Sequence, residues 1–489
     1  MHTPKQRAGH RRRGILAGLG ALGVAGLGRS GQAKAATHDG DVIVIGAGLS
    51  GLNAALLLEE IGFSVIVIEG RDRIGGRLCS LGDVPGNPEA GGNEIGNSYG
   101  RVRGAMARYG VKQVPMRPRT ESIEQHTYMH LGGANIRLEN WARHAQNPFP
   151  QGYKTTLPWQ LEFKVIDQVN PIATAQNFND PAYAALDVSI ASHLRAQGFS
   201  DAAIQLGAGT NMGQGNAPDA LSVLHWCHVL AFAKASAAQV SHRGSVASEG
   251  GNQRIPEAMA AQLRGDVRLG HHVVGICDAG DHIRVQLKNG KALTAKRAIV
   301  TSPFASLRDV ALDVPLHPKT AQAIGEIGYT RCTQLHYVPT RPFWQHDGLP
   351  PSIWTDGLCA RVLALRNNPE DRDEITSFVV YANDRMALRL DQLGPEAANT
   401  AVLAELARIR PSTQGALRFA RFHSWQNDPF SRGAYAAWKP GQVSAFAAHM
   451  ATPAGRLHFA GAHTSIVTRG MEAAMEAGER AAFEVAELL

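Results

Sequence analysis

The sequence contains few cysteines and no long apolar run, and each absence narrows what the protein can be. Five cysteines are scattered through 489 residues without Cys-x-x-Cys spacing, which excludes a disulfide framework and a zinc ribbon. The adjacent histidines His271 and His272 would point to opposite faces of a strand, so they do not form a metal site. We therefore predict a protein that holds no metal.

The chain also lacks a basic surface beyond its first residues. It carries 49 Lys and Arg against 42 Asp and Glu, a net charge of +7. Seven of the basic residues fall within positions 1–35, where there is no acidic residue, and subtracting them leaves 42 basic against 42 acidic residues. The body of the chain is balanced, so the sequence predicts no nucleic-acid partner.

The basic segment has the features of an export signal. Arg12-Arg13-Gly14-Ile15-Leu16 resembles the twin-arginine pattern and precedes a Gly-rich apolar run over 17–28. That run is shorter than the roughly 20 apolar residues that a membrane span requires. Ala33-Lys34-Ala35 then offers a small-x-small cleavage site. We predict a signal peptide over 1–35, a periplasmic or secreted protein, and no stable membrane anchor.

The first ordered segment reads as a strand, a helix and a second strand. The run 41–45 is short and β-branched, apolar residues at helical spacing follow over 50–61, and a second buried strand covers 64–68. Strands that are apolar throughout are typical of parallel sheets covered on both faces. The pattern predicts a βαβ unit with a right-handed crossover.

The turn of this unit, Gly46-Ala47-Gly48-Leu49-Ser50-Gly51, predicts a dinucleotide site. Gly46 permits the tight turn, Gly48 lets backbone amides approach a pyrophosphate, and Gly51 lets helix and strand pack closely. The helix N-terminus favours the negative charge. Glu69, at the end of the second strand, can accept hydrogen bonds from ribose hydroxyls and would repel a 2′-phosphate. FAD or NAD is therefore favoured over NADP.

Weaker patterns organise the rest of the chain. The stretch 106–245 is rich in Gln, Asn, Pro and Ala and predicts helices, for example over 181–197. A hairpin is predicted from the runs 283–287 and 293–300 around Lys288-Asn289-Gly290, and a final helix from about Met471 to Leu489. The length is too great for one compact core and fits two domains.

The segment from Glu69 to Arg77 decides between the two cofactors. Its two glycines let the backbone pass close to a cofactor, and its arginines can bind phosphate in a bidentate fork. Here the chain resembles the flavin-containing amine oxidase family, and four further blocks extend the resemblance over nearly all residues after 40. They are Glu89–Gly96, the Gly250-Gly251 turn, Trp425–Tyr435, and Phe459-Ala460-Gly461 through to Ala474.

The resemblance implies an α/β fold in which a Rossmann-like FAD-binding domain is interleaved with an α+β substrate-binding domain. The segments expected for the FAD-binding domain are 40–105, 246–315 and 416–489, and those for the substrate domain are 106–245 and 316–415. The resemblance also implies cofactor contacts at Gly46, Gly48, Ser50, Gly51, Glu69, Arg71, Gly76, Arg77, Asn93, Val273, Gly461 and Met471.

Three positions depart from the family pattern. Ala434 stands where many members carry the cysteine that bonds the flavin, so we predict non-covalent FAD. Tyr435 supplies one aromatic wall for the substrate amine, but the second wall falls at Gly470. Gln334 stands where the family has the lysine that assists reoxidation by oxygen, with Arg331 as an alternative cation if the alignment slips. We therefore expect either oxygen or a cytochrome or quinone as electron acceptor.

Glu94 lies where amino-acid oxidases of the family carry an arginine for the substrate carboxylate. The reversed charge favours a cationic amine, although a structural bond to Arg101 or Arg103 is equally consistent with the sequence. With Tyr435 and Gln334, it completes the predicted catalytic residues. The expected reaction is FAD-dependent oxidation of an amine to an imine, which water hydrolyses. An L-amino-acid oxidase, a desaturase and a non-catalytic flavin-bound interaction protein remain alternatives, and a homodimer stays open.

Overall fold

A computed structural model describes residues 38–116, 126–210, 216–238 and 244–489. The predicted signal peptide over 1–35 lies outside these ranges. The described strands are β1 Gly40–Ile45, β2 Val65–Ile68, β3 Gln113–Pro115, β4 Thr127–Leu131, β5 Ala134–Ile136, β6 Val246–Ser248, β7 Val267–Arg268, β8 Val273–Asp278, β9 Ile283–Leu287, β10 Ala292–Val300, β11 Ala311–Asp313, β12 Gly328–Tyr329, β13 Cys332–Pro339, β14 Ser352–Thr355, β15 Arg361–Leu365, β16 Ser377–Asn383, β17 Leu417–Ser424, β18 Ala436–Ala437 and β19 Leu457–Phe459.

The described α-helices alternate with these strands. They are α1 Leu49–Ile61, α2 Gly100–Arg108, α3 Leu161–Val169, α4 Ile190–Ala196, α5 Asp201–Ala208, α6 Val223–Ala238, α7 Arg254–Ala260, α8 Phe304–Leu307, α9 Pro318–Glu326, α10 Asp384–Ile409, α11 Gln442–Phe446 and α12 Gly470–Ala486. Short 3₁₀ turns cover Leu138–Arg143, Gln151–Tyr153, Pro158–Gln160, Ala175–Asn177, Pro181–Leu186, Pro218–Ala220, Phe343–Gln345, Pro411–Thr413, Ala447–His449 and Ala462–Thr464. In these described ranges, no helix is long and apolar enough to cross a membrane.

The first sheet confirms the βαβ unit. Its strand order is β11-β8-β9-β10-β1-β2-β7, and β19 pairs with β10. β1 runs parallel to both β2 and β10, so it is the inner strand of the parallel part. Val42, Ile43 and Val44 are fully buried there, which explains why this strand is apolar on both faces. The predicted hairpin of β9 and β10 is also present.

The second sheet has the order β17-β13-β16-β15-β14-β4-β5. Its strands are drawn from residues 127–136 and 332–424, whereas the first sheet uses 40–68, 267–313 and 457–459. The two sheets are thus interleaved along the chain, and the α/β class is confirmed. β17 falls in the second sheet although it follows residue 416, where we placed the third FAD-binding segment. The domain boundaries themselves stay a prediction.

The prediction of one continuous helix over 181–197 is wrong. The chain forms a 3₁₀ turn at Pro181–Leu186 and then α4, which begins only at Ile190. The interruption is stabilised at Asp187, whose carboxylate accepts hydrogen bonds from the Ser222 hydroxyl at 2.6 Å and the Ser444 amide at 2.8 Å. The Ser189 side chain caps the new helix. These distant partners decide where the helix breaks, and the local pattern does not contain them.

Helices α1 and α12, from opposite ends of the described chain, pack against each other. A Cβ atom added at Gly478 in α12 would lie 2.2 Å from the Ser50 carbonyl oxygen in α1, so the two backbones are in direct contact. The Asn53 side-chain amide donates to the Met475 carbonyl across this contact at 2.8 Å. The starts of both helices are therefore held side by side.

Candidate active site

A cavity of about 630 Å³ adjoins the carboxyl ends of β1 and β2. Its wall also includes residues of β13 and β16 from the second sheet and the first turn of α12. Ligands of parallel α/β sheets bind at this end of the strands, and the volume is typical of a ligand site.

The Gly46–Gly51 turn lies at one end of the cavity, where Gly46, Gly48 and Ser50 form part of the wall. Gly46 has φ +112°, a conformation that favours glycine. Gly51 lies behind the wall, where an added Cβ would be 1.9 Å from the Gly46 oxygen. Helix α1 has no side-chain cap, so amides of its first turn remain available to an anion. The Ser50 hydroxyl accepts from the Gly461 amide at 2.9 Å.

Glu69 lines the cavity and is buried. Its carboxylate accepts hydrogen bonds from the Ala47 amide at 3.0 Å and the Arg71 amide at 2.9 Å. The side chain therefore shapes the glycine turn, besides the role toward a ribose that the sequence suggested. Oε1 also accepts from Nη1 of Arg71 at 3.4 Å, whereas Oε2 keeps a second lone pair, so the two roles are compatible.

The two arginines predicted to contact the cofactor have different surroundings. Arg71 forms a two-pronged pair with Asp428, at 2.8 and 3.1 Å, and donates to the Ser431 hydroxyl at 2.7 Å. Arg77 donates to the Ala434 carbonyl at 2.9 Å and, among the described residues, has no carboxylate partner. Burial lowers the pKa of its guanidinium. Arg77 is thus the arginine whose charge is left for a phosphate, while Arg71 joins two segments.

The other predicted cofactor residues also line the cavity: Gly76, Asn93, Val273, Gly461 and Met471. The Asn93 carbonyl is held by the Asn252 side chain at 2.7 Å. Gly461 has φ +101°. Met471 stands in the first turn of α12, which has no side-chain cap. The cavity therefore has an open helix N-terminus on two sides.

Gln334 is buried on β13 and lines the cavity. Its amide nitrogen donates to the Ala90 carbonyl at 3.0 Å, and its amide oxygen is 2.9 Å from Nε2 of His336. Burial lowers the pKa of His336 to about 3, so the ring is neutral. Arg331 does not line the cavity and pairs with Asp384 at 3.1 Å. The alternative cation is therefore directed elsewhere.

Tyr435 lines the cavity, but no aromatic ring can stand at Gly470. Burial is the main cause that raises the pKa of Tyr435 to about 12, and the phenol stays neutral. Gly470 has φ +63°, and a Cβ added there would lie 2.7 Å from the Tyr99 hydroxyl. Tyr99 thus fills the space behind Gly470. Tyr381, on the strand next to Gln334, contributes a further ring to the wall.

Glu94 lines the cavity without pairing to either arginine that the sequence offered. Its carboxylate accepts a hydrogen bond from the Ser245 hydroxyl. Arg101 pairs with Glu472 and Glu479, and Arg103 donates to the Gly96 carbonyl and the Gln113 side chain. Glu94 therefore keeps most of its acceptor capacity for a ligand.

Among the cavity residues that the sequence did not single out are two histidines and an arginine: His228, His463 and Arg469. Both ring nitrogens of the buried His463 lack a protein partner, and burial lowers the pKa of this ring to about 3. Arg469 immediately precedes the glycine that we interpreted as a missing aromatic wall. No acidic residue stands next to Arg469 in the sequence before Glu472. This lack of a local counter-charge was the sequence signal that could have identified Arg469 as a site residue.

These features fit a flavin dinucleotide. Arg77 and the start of α1 suit the pyrophosphate, and the unsatisfied nitrogens of His463 call for polar atoms of a ligand. No group of three or more His, Cys, Asp or Glu residues arranged to hold a metal occurs within the described ranges. The charged and polar groups that line the cavity therefore fit a bound cofactor with space for a substrate beside it.

Comparison with known proteins gives the same class. The sequence profile described as flavin containing amine oxidoreductase matches residues 49–486. An L-amino acid dehydrogenase of Synechocystis sp. is 26% identical over 479 residues, 92% of this chain and 95% of the relative. A flavin-containing amine oxidase of Danio rerio is 25% identical, over 91% of this chain and 85% of the relative. Cyclohexylamine oxidase from Brevibacterium oxydans has a similar structure, with TM-score 0.73 at 22% identity over 92% of this chain and 99% of that one.

The fold and the cavity define a flavoprotein oxidoreductase. Because the profile covers most of the chain, this protein belongs to the flavin-containing amine oxidoreductase family. The predicted cofactor, FAD, and the predicted reaction class, oxidation of an amine, are confirmed at this level.

Proposed function

We propose that this protein oxidises an amine by hydride transfer from the C–H bond next to a neutral amine nitrogen, with FAD held without a covalent bond. The observation that carries the proposal is the meeting of the Gly46–Gly51 turn, Tyr435 and the start of α12 around one cavity. FAD, when bound, supplies the hydride acceptor. Water then hydrolyses the imine to an aldehyde or ketone and ammonia or an amine.

The chain's own residues bind and orient rather than transfer protons. Tyr435 and His463 line the cavity as neutral groups, and the neutral ring of His336 contacts Gln334. Hydride transfer from a neutral amine requires positioning and the exclusion of water more than acid–base catalysis. The uncapped start of α12 favours negative charge on the reduced cofactor.

The attachment of FAD follows from Ala434, whose methyl group cannot form a thioether. Cys332 is the cysteine among the described residues that lines the cavity, and it is buried on β13 beside Gln334. Acid precipitation leaves a covalent flavin with the protein, so we expect all FAD in the supernatant. Flavin in the pellet would contradict the proposal, and a Cys332→Ala variant would then show whether this thiol is the attachment point.

Reduction by amines tests the reaction itself. Purified holoprotein is mixed anaerobically with primary, secondary and poly-amines and with amino acids, while the absorbance of the oxidised flavin is followed. We expect bleaching by at least one class of amine. If none bleaches the flavin, the amine-oxidising function is wrong, and the non-catalytic and desaturase alternatives gain.

We further propose an electron acceptor other than oxygen, because the family's lysine is replaced by the neutral, fully bonded Gln334. A Gln334→Lys variant is expected to accelerate reoxidation of the reduced flavin by oxygen at least tenfold, since a nearby cation stabilises superoxide-like charge. Stopped-flow mixing of photoreduced protein with air-saturated buffer measures the rate. Gln334→Met, of similar length and uncharged, is the control. Equal rates in the two variants would contradict the electrostatic argument.

We also propose export in the folded state, because a protein that takes up FAD in the cytoplasm suits the twin-arginine route. The supporting feature is the order of twin arginines, short apolar run and small-residue cleavage site within 1–35. Replacing both arginines with lysine should retain the protein in the cytoplasmic fraction. Unchanged appearance in the periplasm would exclude this route.

A further inference from the structure

Arg469 stands at the entrance to helix α12 with its side chain on the cavity wall. The helix begins at Gly470, and Arg469 is its N-cap residue in an extended conformation. His228, Tyr435 and Met471 line the same cavity. Arg469 is therefore half-buried and lines the space where a ligand would lie.

The only side-chain hydrogen bond of Arg469 within the described structure joins it to a neutral group. Its Nη1 donates to Nδ1 of His228 at 3.1 Å, and Nε2 of His228 donates to the Ile466 carbonyl at 3.1 Å. The imidazole also stacks on Phe178, with ring centroids 4.3 Å apart. Burial, reinforced by Arg469, lowers the pKa of His228 to about 3. His228 thus orients the guanidinium but does not neutralise it, and most of its five N–H donors remain unused.

Arg469 keeps its charge at neutral pH. Burial lowers its pKa to about 10, while the nearby phenols of Tyr99 and Tyr435 act in the opposite direction. No described carboxylate pairs with Arg469: Glu472 pairs with Arg101, and the Glu94 carboxylate, on the same cavity wall, accepts from the Ser245 hydroxyl. A charge removed from water without a counterion is costly.

Two other buried or half-buried arginines within the described ranges have carboxylate partners. Arg410 has a fully buried side chain and pairs with Asp347 at 2.8 Å, and Arg71 pairs with Asp428 at the same distance. Arg77 faces the predicted pyrophosphate. By the same logic, the unpaired charge of Arg469 indicates an anionic group in the ligand that occupies the substrate side of the cavity.

We propose that Arg469, positioned by His228, binds the carboxylate of the substrate, which makes the substrate an amine that carries a carboxylate group. This inference rests on the proposed function and specifies its substrate class. It replaces the expectation drawn from Glu94 alone: the arginine that an amino-acid oxidase requires is present at a different position. Glu94 lines the same cavity and supplies a negative charge besides the positive charge of Arg469. A site with both charges suits a zwitterionic substrate.

Substrate pairs that differ only in the carboxylate test the proposal. The pairs are L-phenylalanine and phenethylamine, L-lysine and cadaverine, and 4-aminobutyrate and propylamine, each followed anaerobically by flavin reduction. The measured quantity is the flavin reduction rate constant divided by the dissociation constant of the substrate. In at least one pair this ratio should be about 100-fold higher for the member with the carboxylate, because a charge-assisted ion pair in a dehydrated site contributes that much binding energy. Arg469→Met should reduce that preference to less than threefold, and Arg469→Lys should retain part of it.

A binding measurement makes the test independent of turnover. Benzoate is titrated into the holoprotein and its effect on the flavin spectrum is recorded. Binding should weaken at least 30-fold in Arg469→Met and remain unchanged in Arg108→Gln, which removes a surface arginine paired with Glu60. FAD content of each variant shows that it is folded and loaded.

The outcomes separate this inference from the proposed function. Equal reduction by amines with and without a carboxylate would overturn the role of Arg469 while leaving amine oxidation intact. If no amine bleaches the flavin, loss of benzoate binding in Arg469→Met still supports a carboxylate site, and unchanged binding overturns it. A large change in the flavin's reduction potential with unaltered benzoate binding would show that Arg469 acts on the flavin instead, which also overturns the proposal.

Discussion

Replacing Gly51 with alanine is expected to abolish FAD binding and to lower the free energy of unfolding by about 3 kcal/mol. A Cβ at this position would lie 1.9 Å from the Gly46 carbonyl oxygen and 3.1 Å from the Val44 side chain. The first of these neighbours is backbone, so no side-chain rotation relieves the clash. Helix α1 would have to move away from β1, and the amides at its start would leave the cavity.

Urea denaturation gives the stability, and the ratio of flavin to protein absorbance gives the FAD content. Gly104→Ala is the matched control, because Gly104 lies in α2 with no atom within 4 Å of an added Cβ. Alanine in an open helical position should stabilise the protein by about 1 kcal/mol. A Gly51→Ala protein that purified with full FAD and unchanged stability would refute the packing argument.

The second large effect is a steep loss of stability in acid. Five buried or half-buried histidines have lowered pKa values, chiefly because burial disfavours the charged ring: about 3 for His228, His336 and His463, about 4 for His423, and well below 6.5 for His225. In the unfolded chain these rings titrate near 6.5. Between those values the unfolded state binds more protons, so stability present above pH 6.5 is lost as the pH falls.

Two buried carboxyls act in the opposite direction over part of this range. Burial raises the pKa of Glu89 to about 7 and that of Glu162 well above 4.5. The native state binds their protons first, so both stabilise the fold as the pH falls from 7 to 4.5. Near pH 5.5 the unfolded state binds about five more protons than the native state at these histidines and about two fewer at these carboxyls. The net difference of about three protons makes the free energy of unfolding fall by about 4 kcal/mol per pH unit as the pH is lowered. The loss should be steepest between pH 4.5 and 4, where the carboxyl contribution has ended.

Urea titrations at pH 7, 5.5 and 4.3 measure this dependence. His225→Leu changes a buried ring of α6 that does not line the cavity, and it should reduce the slope by about 1.4 kcal/mol per pH unit. His346→Leu, at an exposed position, is the control and should leave the slope unaltered. Equal slopes for the two variants would show that the buried histidines do not determine acid stability.

The parts of the site that local patterns could predict are those formed by neighbouring residues in the chain. The Gly46–Gly51 turn and Glu69 were recognised because their function requires particular residue types at a particular spacing between two strands. Resemblance to the family placed Tyr435, Gln334 and Glu94, and all three line the cavity. Their roles in catalysis stay predictions.

Charge compensation was not predictable in this way. Arg71, Arg77 and Arg469 have the same side chain, and only the folded chain shows that Asp428 pairs with the first and that no described carboxylate pairs with the other two. Likewise, Gly470 looked like an open side of an aromatic cage, but Tyr99, far away in sequence, fills the space behind it. Sequence spacing contains no information about such partners.

The sequence by itself determined the βαβ unit, the nature of the cofactor and the family, because each depends on residue types at short, regular spacing. Only the tertiary structure decided which arginine remains charged and unpaired in the cavity, since that depends on acidic groups brought together from distant segments. This difference changes the expected substrate. Glu94 taken alone pointed to a simple cationic amine, whereas Arg469 beside the same cavity points to an amine with a carboxylate.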